Sequence, residues 1–192
     1  FDLISANGVI EYVSESQLKE MIILSQKLLK KGGILILESR NRLFNAVSFN
    51  DYTKNEMQVG EIKNLLDECL LFNKFKSFRD VKKIKFVPKI SKRLKKHQYT
   101  KSKYAKIVVD TRNQYTPFEL LRLLETMGFS TIDLYPVHIH SLTTGAKDDR
   151  PDIHTKLAYF LLDQRDILLK LIPYSSSFMI VAKKLWETIV KL

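Results

Sequence analysis

Cysteine is nearly absent. The single Cys69, followed by Leu70 and Leu71, cannot close an internal disulfide, and an isolated thiol in apolar company suits a small buried hydrophobe in a reducing, cytoplasmic compartment. Long hydrophobic runs are missing too. Apolar runs such as Met21 to Leu24 and Leu70 to Phe72 fall far short of the roughly 20 residues that span a bilayer, so the chain reads as soluble with no stable membrane span. The six glycines stand at 8, 32, 33, 60, 128 and 145, and none of them fall into the G-x-G-x-x-G spacing that cradles a pyrophosphate. No serine has a Gly-x-Ser-x-Gly setting, so a nucleophilic serine has no support. Acids are scarce in one stretch: from Asn73 to Lys106, 14 Lys or Arg stand against Asp80 alone, whereas the remainder carries 18 basic and 20 acidic residues. The net charge of +11 is therefore the property of one segment.

What remains is ordinary globular material. A chain of 192 residues, 45% hydrophobic and 28% charged, has the length of one domain and enough apolar residues for a core, which excludes disorder throughout and a collagen-like repeat. It begins at Phe1, inside what reads as a strand, and is expected to be a piece of something longer. Phe1-Asp2-Leu3-Ile4-Ser5-Ala6-Asn7-Gly8 is a short apolar run ending in turn-formers, the pattern of a buried parallel strand whose carboxyl end opens into a loop. Ser14 and Gln17 make a capping box, after which Leu18, Met21, Ile22, Ser25, Leu28 and Leu29 recur at helical spacing until Gly32-Gly33 stops the helix. Ile34-Leu35-Ile36-Leu37 follows as a second strand, so the opening unit is strand, helix, strand with a crossover connection.

Between Arg40 and Arg112 the signals weaken. Ile62, Leu65, Leu66, Cys69 and Leu70 predict a helix over residues 61–72, and the lysine-rich stretch beyond it has little period. Thr116-Pro117-Phe118-Glu119 is a second capping box with proline at the first helical position. That helix runs to Gly128, and Phe129 to Tyr135 reads as a strand. Leu157, Phe160, Leu161, Leu168 and Leu171 carry a further helical pattern, and Ser177 to Ala182 is a last strand.

Four of these blocks, in order, resemble the carboxyl-terminal half of class I S-adenosylmethionine-dependent methyltransferases. Phe1 to Val13 is similar to their fourth strand and following loop, with Tyr12 where histidine is usual. Leu28-Leu29-Lys30-Lys31-Gly32-Gly33 resembles the L-K-P-G-G signature before the fifth strand, with lysine for proline. Asn41 matches an asparagine just past that strand, Thr116 to Phe129 resembles the helix before the sixth strand, and Ser177 to Lys184 resembles the terminal antiparallel strand. The resemblance implies an α/β fold: a Rossmann-like sheet, N-terminally truncated, with an antiparallel last strand. The core would comprise residues 1–43 and 113–192, with a helical insert at about 136–174, and residues 44–112 would form a basic, partly helical substrate cap. The family's Gly-rich loop and ribose-binding acid would lie upstream, so this stretch is expected to hold half of a cofactor site and to be inactive alone.

S-adenosylmethionine is the cofactor so implied. Ligands of open α/β sheets bind at the carboxyl ends of strands, which places Ala6, Asn7 and Gly8 beside it, with Asn41 at the neighbouring rim. Methyl transfer is an in-line displacement that depends on positioning, and a hydroxyl acceptor also needs a base. His138 and His140 alternate at the end of a strand and so share a face, and imidazole accepts protons near neutrality; Glu38 is the further candidate, unless it pairs with Arg40 or Arg42. A metal on the histidines would need His97, Asp152 or His154 as a third ligand, none at a diagnostic spacing, so no metal is expected. The acceptor is expected to be small or carrier-linked, from polysaccharide or cell-envelope biosynthesis, because Arg112 to Pro117 and Pro136 to His140 resemble methyltransferases of that kind. The basic segment 73–106, with Phe75, Phe78, Phe86, Tyr99 and Tyr104 interleaved, reads either as solvated surface or as a face for an anionic partner. A non-catalytic, degenerate methyltransferase fold holding nucleic acid or anionic membrane through that segment is the alternative.

Overall fold

The computed structural model describes residues 1–84 and 113–185. Most of the basic segment 73–106 lies outside them, and with it the expected anionic surface. The elements are β1 (Leu3–Ala6), α1 (Glu15–Leu28), β2 (Ile34–Arg40), α2 (Arg42–Val47), α3 (Asp51–Gln58), α4 (Ile62–Lys74), α5 (Phe78–Lys83), α6 (Pro117–Thr126), β3 (Phe129–Ile139), α7 (Thr144–Asp149), α8 (Pro151–Leu162), a 3-10 segment (Arg165–Tyr174) and β4 (Ser175–Lys184).

Local chemistry accounts for the opening unit. Ser14 Oγ accepts from the Gln17 N–H while Gln17 Oε1 accepts from the Ser14 N–H, satisfying two orphan donors at the start of α1. Leu18 and Ile22 on that helix are fully buried. Gly32 then turns the chain with φ of 76°, a left-handed conformation that side chains resist. At Gly33 a Cβ would meet Leu29 Cδ2 and Lys30 O at 3.0 Å, so the close approach requires glycine. β2 emerges pairing in parallel with β1, Leu3 opposite Ile34.

The sheet has the order β1-β2-β4-β3. The last strand in sequence inserts between β2 and β3 and runs antiparallel to both. This is the mixed α/β arrangement with an antiparallel last strand that the resemblance implies. β1 is an outer strand, and its Leu3 is 54% exposed. β3 runs four residues further than Tyr135, through Pro136, which is tolerated because β3 is the opposite outer strand among the described residues.

The core joins both sides of the undescribed segment. Leu65, Cys69, Phe72 and Phe75 of α4 and its cap, and Val81 of α5, pack in the same cluster as Leu35 and Leu37 of β2, Leu120 and Leu124 of α6, and Phe178 and Ile180 of β4. The described part of residues 44–112 thus shares the core of the sheet. In the 136–174 stretch the helical pattern is divided: α8 stops at Leu162, and a 3-10 segment containing Pro173 follows. No helix among the described residues is long and apolar enough to cross a membrane.

Candidate functional site

At the carboxyl ends of β2 and β3 lies a cavity of about 660 Å³. Three structural features bring its walls together. Asn41 caps α2, its Oδ1 accepting from the Leu43 N–H while its Nδ2 donates to Ile172 O at 2.7 Å and Ser175 O at 2.9 Å. One amide therefore ties the end of β2 to the 3-10 segment and to β4. The chain re-enters at residues 113–115 alongside the same strand end: Tyr115 N–H donates to Arg40 O, and Arg42 N–H donates to Tyr115 O. Finally, Arg42 and Glu56, each almost fully buried, make a two-point ion pair at 2.9 and 2.8 Å that fastens α3 to α2, a geometry particular to arginine.

Into this cavity project three imidazoles. His138 and His140 both line it, but so does Ile139 between them, so strand alternation is not what brings the two rings there: β3 ends at Ile139. His138 has φ of 55°, a left-handed backbone at the strand end that stores about 1–3 kcal/mol of strain. His140 lies 4.4 Å, centroid to centroid, from the Phe44 ring and 5.6 Å from that of His154. Burial pushes the His140 pKa down to about 4, and Lys147, His154, His138 and Arg40 act in the same direction. It is accordingly neutral at pH 7.

His154, on α8, is the best-oriented of the three. Ser141 Oγ donates to His154 O at 2.9 Å and lies 3.1 Å from His154 Nδ1. A hydroxyl has one proton, and the carbonyl can only accept. Nδ1 therefore carries a hydrogen and donates it to Ser141, which leaves the lone pair of the neutral ring on Nε2. Burial, with Lys147 second, holds the His154 pKa below the ordinary imidazole value. Sequence periodicity puts His154 only among possible metal ligands; the Ser141 contact, across 13 residues, has no signal in the pattern. Among the described residues no cluster of three or more His, Cys, Asp or Glu is placed to hold a metal ion.

The other predicted site residues are distributed differently. Asn41 lines the cavity but is 1% exposed, with both amide atoms committed to the scaffold. Glu38, half-buried on β2 opposite Met179, is not among the lining residues. Neither arginine expected as its partner pairs with it. Arg40 pairs with Glu11 at 3.0 Å, and Arg42 with Glu56. Ala6, Asn7 and Gly8 stand at the end of β1, outside the cavity. Gly8 has φ of 63°, and nothing lies within 4 Å of where its Cβ would be. Asn7 and Gly8 are exposed, and Asn7 Oδ1 accepts from Ser5 Oγ at 3.0 Å. Backbone at this turn is therefore open to solvent.

No family model and no curated protein matches the sequence. Solved structures do. A SAM-dependent methyltransferase from Archaeoglobus fulgidus is similar at 12% identity and a TM-score of 0.42, over 95% of this chain and 59% of that one. An S-adenosylmethionine-dependent methyltransferase from Mesorhizobium loti is similar at 13% identity and a TM-score of 0.44, over 95% of this chain and 61% of that one. PKMT2 from Rickettsia typhi in complex with AdoHcy is similar at 15% identity and a TM-score of 0.40, over 98% of this chain and 36% of that one. The chain thus spans less than two thirds of the length of each.

Proposed function

We propose that the protein transfers a methyl group from S-adenosylmethionine to an oxygen of a small or carrier-linked acceptor held in the cavity between the strand ends and α8. Two things support the reading: the four sequence blocks that resemble class I methyltransferases, and the sheet they form, with a parallel pair joined by α1 and an antiparallel last strand. One observation carries the chemistry. His154 presents Nε2 with its lone pair free, because Nδ1 keeps its hydrogen and donates it in a hydrogen bond to Ser141 Oγ.

When bound, S-adenosylmethionine supplies a methyl group on a sulfonium, already activated for displacement. The chain's own part is to hold the acceptor and receive a proton. Asn41, Arg42 and Glu56 keep the walls in place. As the new O–CH3 bond forms, the donor's methyl–sulfur bond would break with its electron pair left on sulfur, and the acceptor's proton passes to His154 Nε2. Ser141 keeps the ring oriented, the arrangement general-base catalysis requires. Polysaccharide or other envelope precursors are the acceptor class that the stretches Arg112 to Pro117 and Pro136 to His140 favour.

The test, on a chain that also carries the other half of the donor site, is transfer of a labelled methyl group from S-adenosylmethionine to such precursors, and its pH profile. His154→Ala is expected to lower turnover by about 10²–10⁴ where the acceptor is a hydroxyl. A protein that binds the donor yet methylates nothing in the extract, and binds nucleic acid or anionic vesicles instead, would establish the non-catalytic alternative.

A further inference from the structure

We infer that the acceptor carries a phosphate group, seated between Arg40 and Lys147, on a polyhydroxyl body that fills the rest of the cavity. This deepens the methyl-transfer reading and rests on it for the word acceptor; the binding itself stands on the cavity's own chemistry.

Among the described residues that line the cavity there is no aspartate or glutamate. Two cations enter from separate elements, Arg40 at the end of β2 and Lys147 on α7. Glu11, which is buried and does not line the cavity, takes only Arg40 Nε. The two Nη groups remain as donors in the planar fork that suits phosphate oxygens. Lys147 has no carboxylate partner among the described residues.

The neutral groups lean the same way. Asn50 Oδ1 accepts from the Tyr52 N–H, and Gln114 Oε1 accepts from Asn45 Nδ2 at 2.6 Å. Both acceptors are consumed inside the protein, so each amide has its NH2 left to offer. Hydrogen-bonding capacity in the cavity is therefore weighted toward donors, and a ligand rich in acceptor oxygens complements it. A carboxylate, with two oxygens and one charge, satisfies one cation; a phosphate, with three terminal oxygens, spans two. Phosphate alone would fill little of about 660 Å³. Phe44, Tyr159 and Leu162 give the remaining space apolar faces, which with the amides suits a sugar ring.

His140 reports on the occupant. The groups facing it are Arg40 from β2, His138 on its own strand end, Lys147 from α7 and His154 from α8, with Phe44 of α2 against its ring. All four titratable neighbours are basic and oppose its protonation. A phosphate among them reverses that opposition, so binding and proton uptake at His140 are linked.

The experiment follows the imidazole resonances of the purified protein by NMR, without methyl donor, against glucose, glucose 1-phosphate, inorganic phosphate, and phosphatidylcholine vesicles with and without phosphatidic acid. Glucose 1-phosphate is expected to bind at least tenfold more tightly than glucose and than inorganic phosphate, and to raise the His140 pKa by a unit or more. Binding confined to phosphatidic acid vesicles would assign the same phosphate contact to a lipid headgroup and overturn the sugar body. Lys147→Gln, a change on a half-buried surface side chain, is expected to weaken glucose 1-phosphate binding about tenfold and leave glucose unaffected; Lys156→Gln is the folded control. Equal affinity for glucose and its phosphate, or an unchanged affinity in Lys147→Gln, overturns the inference. Methylation of neutral acceptors alone would also overturn it while leaving the methyl-transfer reading intact, and phosphate binding without any methylation would do the reverse.

Discussion

Ser141 holds His154 from two sides: its hydroxyl donates to the His154 carbonyl at 2.9 Å and accepts from the same residue's Nδ1 at 3.1 Å. Ser141→Ala removes the orienting partner and lets the ring choose the other tautomer. Turnover on a hydroxyl acceptor should fall about tenfold, less than for His154→Ala, while KM stays close to its original value. A KM rise with unchanged kcat would instead make the pair a binding element. The acid limb of the kcat profile should lie below the ordinary imidazole value, because burial and Lys147 both lower the His154 pKa. Lys147→Gln should move that limb to higher pH.

The half-buried His140 gives stability a pH dependence with a definite sign. Its folded pKa is about 4, against 6.5 for the free side chain. Between those values the unfolded chain binds the proton and the folded one does not, so stability is lost as pH falls from about 6.5 toward 4. His140→Phe should flatten that part of a denaturation series. In the native protein, the His140 ring should show no titration step near 6.5 by NMR.

Glu68 works in the opposite sense. It is 0% exposed, the Phe118 N–H donates to its Oε1 at 3.3 Å, and its Oε2 has no hydrogen-bond partner among the described residues. Burial pushes its pKa up to about 8 from 4.5, against hydrogen bonds from Thr116 and Phe118 that favour the charged form. The folded state therefore holds a proton that the unfolded state has released, and stability falls as pH rises from about 4.5 to 8. Between 4.5 and 6.5 this slope opposes that of His140; above 6.5 it acts without it. Glu68→Gln should raise stability at pH 7.5 by about 1–3 kcal/mol and change it little at pH 4, as chemical denaturation at the two pH values would show.

Arg42 and Glu56 are a buried pair with most of their polar atoms engaged, Asn45 Nδ2 also donating to Glu56 Oε1 at 2.9 Å. Arg42→Met strands the carboxylate and should cost about 3–5 kcal/mol, whereas replacing both partners by apolar residues should cost far less. A double-mutant cycle by urea denaturation checks this. Because α2 and α3 supply one wall of the cavity, the single variant should also weaken acceptor binding.

Much of the architecture was legible because it rests on local chemistry. The Ser14–Gln17 and Thr116–Glu119 boxes both form, Gly32 turns where the helix signal stops, and β2 follows at once. α2, α3 and α5 were not legible. They are short, and their stability comes from contacts such as Arg42 with Glu56, 14 residues apart, rather than from a period in the sequence. The site was legible in part. His138 and His140 line the cavity, together with Ile139 between them, whereas Glu38 stands outside it and Asn41 serves the scaffold. The His154 ring is oriented by Ser141, 13 residues away.

Periodicity and capping are properties of neighbouring residues, so they specified the βαβ opening, the capped helix before β3 and the strand that closes the sheet. Which groups meet in the cavity was decided by the order β1-β2-β4-β3, a long-range matter. Placing β4 between β2 and β3 carries Arg40 and His140 to one rim, and no spacing along the chain encodes that. Burial then adjusts the chemistry: an imidazole pushed to a pKa of about 4 and a carboxyl pushed to about 8 owe their charge states to surroundings that exist only once the chain has folded.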